Sequence, residues 1–223
     1  KTLLPTYLPL GGGSNGFQFS YYGYLRPDIL LGCLLPAVSM YKIVIAYALG
    51  GYLLSVLLFY LLLRRHNLSG FDSFMGSVLF LTASCFFHTH RQLMFVNYMP
   101  FLLLGFMAIE DYFEGKRKYM VTLWAFLMLM TSYFFAVSGL AAMAVYGVYR
   151  WLKINEKPTF KKFCKDGTAF AFRLILAVIM ACVLILPTLH CMLSGREAGN
   201  SHVDLKSFIP GVNLKFLLYY HYS

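Results

Sequence analysis

Long stretches without a charged residue constrain this chain more than any other feature of its sequence. Residues 43–63 and 174–195 give 21 and 22 consecutive uncharged positions, and residues 119–149 give 31. Two runs of 18 uncharged positions, residues 73–90 and 92–109, are separated by a single arginine. A helix needs about 20 apolar residues to cross the roughly 30 Å hydrocarbon core of a bilayer. These runs therefore predict membrane-spanning segments.

Composition narrows the fold class further. Charged residues make up 13% of the chain and hydrophobic residues 59%, whereas a soluble domain carries roughly 25% charged residues. The net charge of +10 lies in short loops between apolar runs, as in integral membrane proteins. This excludes an ordinary cytosolic enzyme, a disordered chain and a nucleic-acid binder. The runs lack the period-2 alternation of barrel strands, so we predict an all-α, polytopic membrane helical bundle.

The basic residues predict the topology. Three loops carry most of them, at residues 64–65, 116–118 and 150–165. If all three loops are cytoplasmic, as the positive-inside rule expects, an even number of crossings separates each pair. The 31-residue run must then enter the membrane and return. We predict about four full spans plus a short helical hairpin or re-entrant pair, with a break near residues 131–139 and a tip that faces protein or a water-filled cavity.

These segments predict a single transmembrane domain over residues 1–223. Residues 1–40 form an outer loop with an interfacial helix, residues 41–195 hold the membrane spans, and residues 196–223 form an outer loop and the start of a next segment. The chain starts at a lysine and ends in an apolar run. We therefore expect it to be a piece of a longer polytopic protein.

The sharpest polar cluster lies in the turn between the two 18-residue runs. His88 and His90 flank a threonine, and Arg91 follows directly. An arginine offers a planar fork of donors to a phosphate, and histidines add hydrogen bonds. The cluster predicts an anion site on the outer face. The alternative is a polar turn whose arginine extends to the membrane interface.

Two polar residues inside apolar runs are further candidates for substrate contact. Asn97 lies within a predicted span, where a buried amide needs a partner. It lines the substrate cavity or bonds to another helix. Tyr133 lies at the predicted hairpin tip, and its hydroxyl needs a partner if it is buried. Aromatic packing is the alternative for Tyr133.

Three charged residues complete the outer face. Arg196 and Glu197 follow the last run; Arg196 is a phosphate-binding candidate and Glu197 its ion-pair partner, with a simple exposed pair as the alternative. Asp28 is a candidate general base, although a carboxylate in the first turn of a helix is also favoured by the helix dipole. We expect no cofactor. A metal site at His88 and His90 is the weaker interpretation, because no third ligand lies nearby, and a requirement for a divalent metal stays open.

Several segments, in their order along the chain, resemble the YfhO-like bacterial membrane proteins over about residues 10–200. They are GGGSNGFQFSYYGYLRPDILLGCLLP, LLLRRHNLSG, HTHRQLMFVNYMPFLLLGFMAIEDYFEGKRKY, TSYFFAVSG and LILPTLHCMLSGRE. The resemblance implies a multi-pass protein of the bacterial cell membrane and a GT-C-type glycosyltransferase. Such an enzyme moves a sugar from a polyprenyl-phosphate donor to a cell-envelope polymer such as teichoic acid, on the extracytoplasmic face.

The resemblance also implies a catalytic acidic residue early in the first outer loop, after a first span. Asp28 is the only acidic residue before the second span, and we expect the catalytic acid itself to lie outside this chain. Two other function classes stay open: a transporter or flippase of lipid-linked or small solutes, and a non-catalytic membrane subunit.

Overall fold

A computed structural model describes residues 7–8, 14–15, 27–83, 93–155 and 159–195. Within these ranges, the backbone alone is described at residues 7–8, 14–15, 29, 93–97, 133–134, 184 and 188–195. The described helices are α1 (Pro27–Leu34), α2 (Met40–Arg65), α3 (Gly70–Leu81), α4 (Leu93–Phe113), α5 (Met120–Thr131), α6 (Tyr133–Ile154) and α7 (Phe160–Gly195). Two-residue strands, β1 (Tyr7–Leu8) and β2 (Ser14–Asn15), pair antiparallel. The predicted all-α membrane fold class is confirmed.

The helices carry their apolar side chains outward, as membrane helices do. Leu53 on α2 and Val183 on α7 are 65% and 82% exposed. Three of the described helices are long and apolar enough to cross a membrane, namely Met40–Arg65, Phe135–Ile154 and Phe160–Val183. Polar side chains instead occupy buried positions: Asp28, Ser55, Ser73, Ser77, Glu110, Thr122, Thr131 and Ser132.

Several of these buried hydroxyls donate to backbone carbonyl groups, because lipid offers no hydrogen-bond partner. The Ser55 hydroxyl donates to the carbonyl of Gly51 one turn earlier, at 2.7 Å. Thr122 donates instead to the carbonyl of Arg173 at 3.1 Å, which links α5 to α7. Between transmembrane helices such a bond contributes about 0.6–2 kcal/mol.

The predicted spans agree with the helices to different degrees. Helix α2 contains the whole predicted span 43–63, and α4 covers residues 93–109 of the run 92–109 and extends to Phe113. At 21 residues, α4 is about 32 Å long and matches the thickness of the hydrocarbon core. Helix α3 covers the first part of the run 73–90, and residues 84–92 lie outside the described residues.

The 31-residue run breaks as predicted. Helix α5 ends at Thr131 and α6 begins at Tyr133, with Ser132 between them in an extended conformation (φ −162°, ψ 102°). The arms are unequal, at 12 and 22 residues. Helix α5 is therefore only about 18 Å long, too short to cross the core. Ser132 is fully buried, so the break faces protein, as a re-entrant tip requires.

Contacts along α4 and α6 show that these two helices run in the same direction. Tyr98 stacks on Phe135 near their starts, with ring centroids 5.8 Å apart. Arg150 pairs with Glu114 at 3.3 Å near their ends. The short helix α5 must therefore run back between them.

All three basic loops meet at one end of the bundle. Arg65, at the end of α2, pairs with Asp111 near the end of α4 at 3.0 Å. This pair lies beside the Arg150–Glu114 pair at the ends of α6 and α4. Lys116 pairs with Glu114 at 2.7 Å. We call this the basic end and the other the opposite end. The helices between these basic segments therefore return to the same end, as the charge pattern predicted.

Residues 150–165 are not the loop that the sequence predicted. Helix α6 continues to Ile154, and α7 begins at Phe160 and runs for 36 residues, about 54 Å. Its first turns carry Lys161, Lys162 and Lys165. The lysines made this segment resemble a loop, but lysine is a good helix former. Lys161, Lys162 and Lys165 lie on α7, which is longer than the hydrocarbon core is thick.

Local signals fix where α3 begins and α4 ends. Ser69 caps α3 by accepting a hydrogen bond from the Asp72 backbone N–H, at 3.1 Å, and it donates to the Asp72 carboxylate at 2.7 Å. The bond from the Asp72 N–H is a side-chain N-cap, which satisfies one of the free N–H groups in the first turn of the helix. Gly115 ends α4 with φ +79°, and the N–H groups of Gly115 and Lys116 bond back to Tyr112 and Asp111. This is a Schellman motif, which favours glycine.

Cysteine labelling in bacterial cells tests the topology. In a cysteine-free background, Ala37→Cys lies at the opposite end and Arg117→Cys at the basic end, and both positions are exposed. Because the positive-inside rule makes the basic end cytoplasmic, a membrane-impermeant maleimide should label only Ala37→Cys in intact cells. Permeabilised cells, in which both should react, serve as the control. Labelling of Arg117→Cys in intact cells would contradict this topology.

Candidate functional site

An apolar groove of about 620 Å³ lies between α1, α2 and α4. Its walls come from the first half of α2 and from the part of α4 around Pro100, so it lies toward the opposite end. Gly50 and Gly51 carry no side chains, and no atom of the described residues lies within 4 Å of where a Gly50 Cβ would stand. The described lining residues are Leu31, Leu35, Val38, Lys42, Ile43, Ala46, Tyr47, Gly50, Gly51, Leu54, Pro100, Phe101 and Leu104.

Two charged residues accompany this α1–α2–α4 groove. Lys42 lines it directly and is exposed. Asp28 lies in the first turn of α1 and is fully buried, with a partner inside the chain. Leu31 and Leu35 follow Asp28 at spacings of three and seven, which places all three on one face of α1. The groove is therefore apolar along its length, with an amine at its wall and a carboxylate on the α1 face that borders it.

A buried polar cluster occupies the basic end. Glu110 on α4 is 3% exposed. The Tyr146 hydroxyl on α6 donates to its carboxylate at 2.8 Å, and His66 Nε2, just after α2, lies 3.0 Å from the same oxygen. His66 Nε2 also lies 3.0 Å from the Tyr146 hydroxyl, and Arg65 approaches the other carboxylate oxygen at 3.9 Å. One carboxylate thus connects three helices.

Glu114 extends this network toward water. Its hydrogen bond from Lys116 lowers the pKa of the Glu114 carboxyl, and the same bond raises the pKa of the Lys116 amine. Because the folded-state pKa of Glu114 is lowered, its contribution to stability is present above the usual glutamate pKa. That contribution is lost as pH falls through the lowered value. Glu114 is exposed, so water screens the pair and the effect is small.

The hairpin tip carries a buried hydroxyl that the fold does not use. Ser132 is at the N-cap position of α6, but its side chain makes no capping bond. Its Oγ has no hydrogen-bond partner within the described part of the chain. The preceding Thr131, by contrast, donates to the carbonyl of Leu127 at 2.8 Å. An unsatisfied buried hydroxyl costs about 1–3 kcal/mol.

The sequence-predicted site residues fall into three groups. Asp28 is described and buried near the groove. For Asn97 and Tyr133 the backbone alone is described, in α4 and at the start of α6. Asn97 directly precedes Tyr98 and Tyr133 lies two residues before Phe135. The rings of Tyr98 and Phe135 stack, so both positions lie at the opposite end. The remaining predictions lie outside the described residues: His88, His90, Arg91, Arg196 and Glu197.

Comparison with known proteins decides the family. The model of the family described as bacterial membrane protein YfhO matches residues 9–220. The chain belongs to this family. No curated protein and no solved structure matches it. Membership of the YfhO family and the outward-facing apolar helices together make the chain a membrane protein.

In this YfhO-family chain, sequence reasoning missed the cluster at the basic end. His66 and Tyr146 were not singled out, and Glu110 served only as the end of an uncharged run. The signal available in the sequence was Glu110 itself, an ionisable residue directly after an uncharged run. Burying such a residue in a membrane protein costs free energy, so it needs polar partners. Within the described residues, no group of three or more His, Cys, Asp or Glu side chains is arranged to hold a metal ion.

Replacing Glu110 tests how much this cluster contributes to the free energy of unfolding. Glu110→Gln keeps the shape but removes the buried charge that faces His66 and Arg65. We expect a loss of about 1–3 kcal/mol in the free energy of unfolding, the usual cost of a buried polar group that loses its partner. Chemical denaturation in detergent, followed by circular dichroism, measures it.

Asp111→Asn is the matched control, because it also removes one negative charge that faces Arg65. The Asp111 side chain is 23% exposed, against 4% for Glu110, and we expect a loss below about 1 kcal/mol. Equal losses in the two variants would show that burial of the Glu110 cluster adds nothing to the free energy of unfolding.

Proposed function

We propose that this chain forms part of a GT-C-type membrane glycosyltransferase. It moves a sugar from a polyprenyl-phosphate donor to a cell-envelope polymer, such as teichoic acid, on the extracytoplasmic face. Its partners are then the lipid bilayer, the lipid-linked sugar and the glycopolymer acceptor. Family membership supports the proposal, and the α1–α2–α4 groove is the observation that carries it.

The groove has the properties that a polyprenyl-phosphate donor needs. Its walls are apolar, and its volume of about 620 Å³ lies within the usual range of roughly 300–1,000 Å³ for ligand sites. A prenyl tail is hydrocarbon and packs against such walls, gaining about 0.8 kcal/mol for each buried methylene group. Lys42 lines the groove, and we assign its amine to the donor phosphate. An amine is a point charge that attracts phosphate.

The transfer itself needs a base and a cationic site. The acceptor hydroxyl loses its proton to the base, its oxygen bonds to the anomeric carbon, and the bond from that carbon to the phosphate oxygen breaks. Polyprenyl phosphate leaves with the electron pair, and cations stabilise its charge. Arg91, with His88 and His90, is assigned this last role, and Arg196 a supporting one paired with Glu197.

The remaining candidates take neutral or acidic roles. Asn97 and Tyr133 can donate hydrogen bonds to sugar hydroxyls. Asp28, on the helix α1 that borders the groove, serves as the weak candidate for the base. A catalytic acid contributed by another part of the protein fits the proposal equally well, because Asp28 already has a partner in the chain.

One observation favours a second function, a flippase or transporter of lipid-linked or small solutes. The run over α5 and α6 is a broken helix whose buried Ser132 hydroxyl has no partner within the described residues. Broken helices with free polar groups line the substrate sites of many transporters. A non-catalytic membrane subunit is the third reading, and it requires that the polar groups at the opposite end have no chemical task.

Replacing Arg91 tests the transferase directly. The purified protein in nanodiscs is given radiolabelled polyprenyl-phosphate sugar and envelope polymer. Arg91→Ala removes charge-assisted hydrogen bonds to the phosphate, which are worth about 1.5–3 kcal/mol each. We expect kcat/KM to fall by about 10- to 100-fold.

Arg117→Ala is the control for Arg91→Ala, because it removes one arginine at the basic end. It should leave transfer unchanged. Transfer that survives Arg91→Ala would keep the enzyme and reject this phosphate site. Movement of the lipid-linked sugar across the bilayer without transfer would favour the flippase, and neither activity would favour the non-catalytic subunit.

Filling the groove tests the tail site separately. Gly50→Leu places a side chain in open space and should not disturb packing. The leucine excludes about two methylene groups of the donor, and at about 0.8 kcal/mol each the KM for a long-chain donor should rise about tenfold. A donor with a short prenyl chain should be affected less.

Gly70→Leu is the matched control for the groove. It also places a leucine in open space, but at the start of α3 and away from the groove. An equal rise in KM for both variants, or for both donor lengths, would reject the groove as the tail site.

A further inference from the structure

A second apolar pocket lies at the basic end, between α4, α6 and α7. Its volume is about 380 Å³. Gly147 on α6 and Gly167 on α7 line it, and no atom in the described part of the chain lies within 4 Å of a Cβ added at Gly167. The lining residues that the structure describes are Phe113, Ala144, Gly147, Val148, Trp151, Phe163, Cys164, Gly167, Thr168, Phe170, Ala171 and Leu174. We call it the α6–α7 pocket.

Trp151 forms one wall of this pocket and is 3% exposed. Its ring packs edge-on against Phe163, with centroids 5.0 Å apart. Its indole N–H donates to the Asp166 carboxylate at 2.9 Å. The positive-inside rule places the basic end at the membrane surface. The mouth of the pocket, near the start of α7, therefore lies toward the lipid headgroups, and its inner end at Leu174 lies toward the acyl chains.

Lysines border the mouth of the pocket. Lys161 and Lys165 are exposed, and each lies three residues before a lining residue of α7, Cys164 and Thr168. Residues three apart are neighbours on a helix surface. Lys162 donates instead to the side chain of Asn155, just after α6. Over residues 150–168 the chain has six basic and two acidic residues.

We propose that the α6–α7 pocket binds an anionic phospholipid. One acyl chain fills the apolar pocket, and the phosphate of the headgroup lies against the amines of Lys161 and Lys165. Charge complementarity selects this occupant over an apolar protein segment or a zwitterionic lipid. A basic cluster directly beside a membrane helix attracts anionic lipid by about 1 kcal/mol, or about fivefold in binding, for each lysine.

This site is separate from the proposed transferase site. It lies at the other end of the bundle and shares no lining residue with the α1–α2–α4 groove. The inference does not depend on the reaction that the protein catalyses. It holds or fails whatever the outcome of the transfer assay.

Tryptophan quenching tests the proposal, because Trp151 lines the pocket and the chain has one other tryptophan, Trp124. The protein carrying Trp124→Phe is placed in phosphatidylcholine nanodiscs. The added lipid is either phosphatidylglycerol or phosphatidylcholine with brominated acyl chains. We expect brominated phosphatidylglycerol to quench Trp151 at a concentration at least about fivefold lower.

Three variants separate the parts of the site. Lys161→Gln with Lys165→Gln should lower the preference for phosphatidylglycerol by about fivefold per lysine. Arg117→Gln with Lys118→Gln removes two exposed charges from another loop at the same end and should leave the preference unchanged. Gly167→Leu fills the pocket and replaces a poor helix former, so it should weaken quenching by both lipids.

Several results would overturn the proposal. Equal quenching by the two brominated lipids would show that the pocket does not select anionic lipid. A preference that survives the lysine replacements, or falls equally in the Arg117 and Lys118 variant, would remove the headgroup site. Absence of quenching by any lipid would show that protein covers the pocket.

Discussion

The buried carboxylate of Glu110 is the interaction on which the rest of the bundle depends. Apolar packing hardly distinguishes one helix pair from another in lipid, because the lipid tails are as apolar as the side chains. A buried charge does distinguish them, since it must find polar partners. Glu110 finds them after α2, in His66, and on α6, in Tyr146. The ends of three helices are therefore held together, and the topology follows.

That constraint explains why the two ends of the bundle differ. With α4 and α6 parallel and joined at the basic end, the segment between them has to run back toward the opposite end. Helix α5 does so in 12 residues and is followed by the buried Ser132. Ion pairs join the helices at the basic end. At the opposite end, among the described residues, the Tyr98 and Phe135 rings stack, and the α1–α2–α4 groove opens there.

Charge and hydropathy were enough to predict much of this fold. The parity of crossings between basic loops predicted the hairpin, but not that its arms differ in length, at 12 and 22 residues. The helix over the first turns of α7 was not predicted, because its lysines follow the pattern of a loop. The Glu110 cluster and the groove were also missed. Both are assembled from three helices, and no single stretch of sequence carries the spacing that would reveal them.

The length of α7 bears on the depth of both cavities in the membrane. Helix α7 is about 54 Å long, which exceeds the roughly 30 Å core, so hydrophobic length alone leaves its depth undetermined. Interfacial anchors fix depth instead, and the exposed lysines in the first turns of α7 form such an anchor at the basic end. Because ion pairs join α4 to α2 and α6 at that end, the anchor also sets the depth of the α1–α2–α4 groove. In the proposed transferase, the depth of a donor phosphate beside Lys42 would then depend on contacts made in the other leaflet.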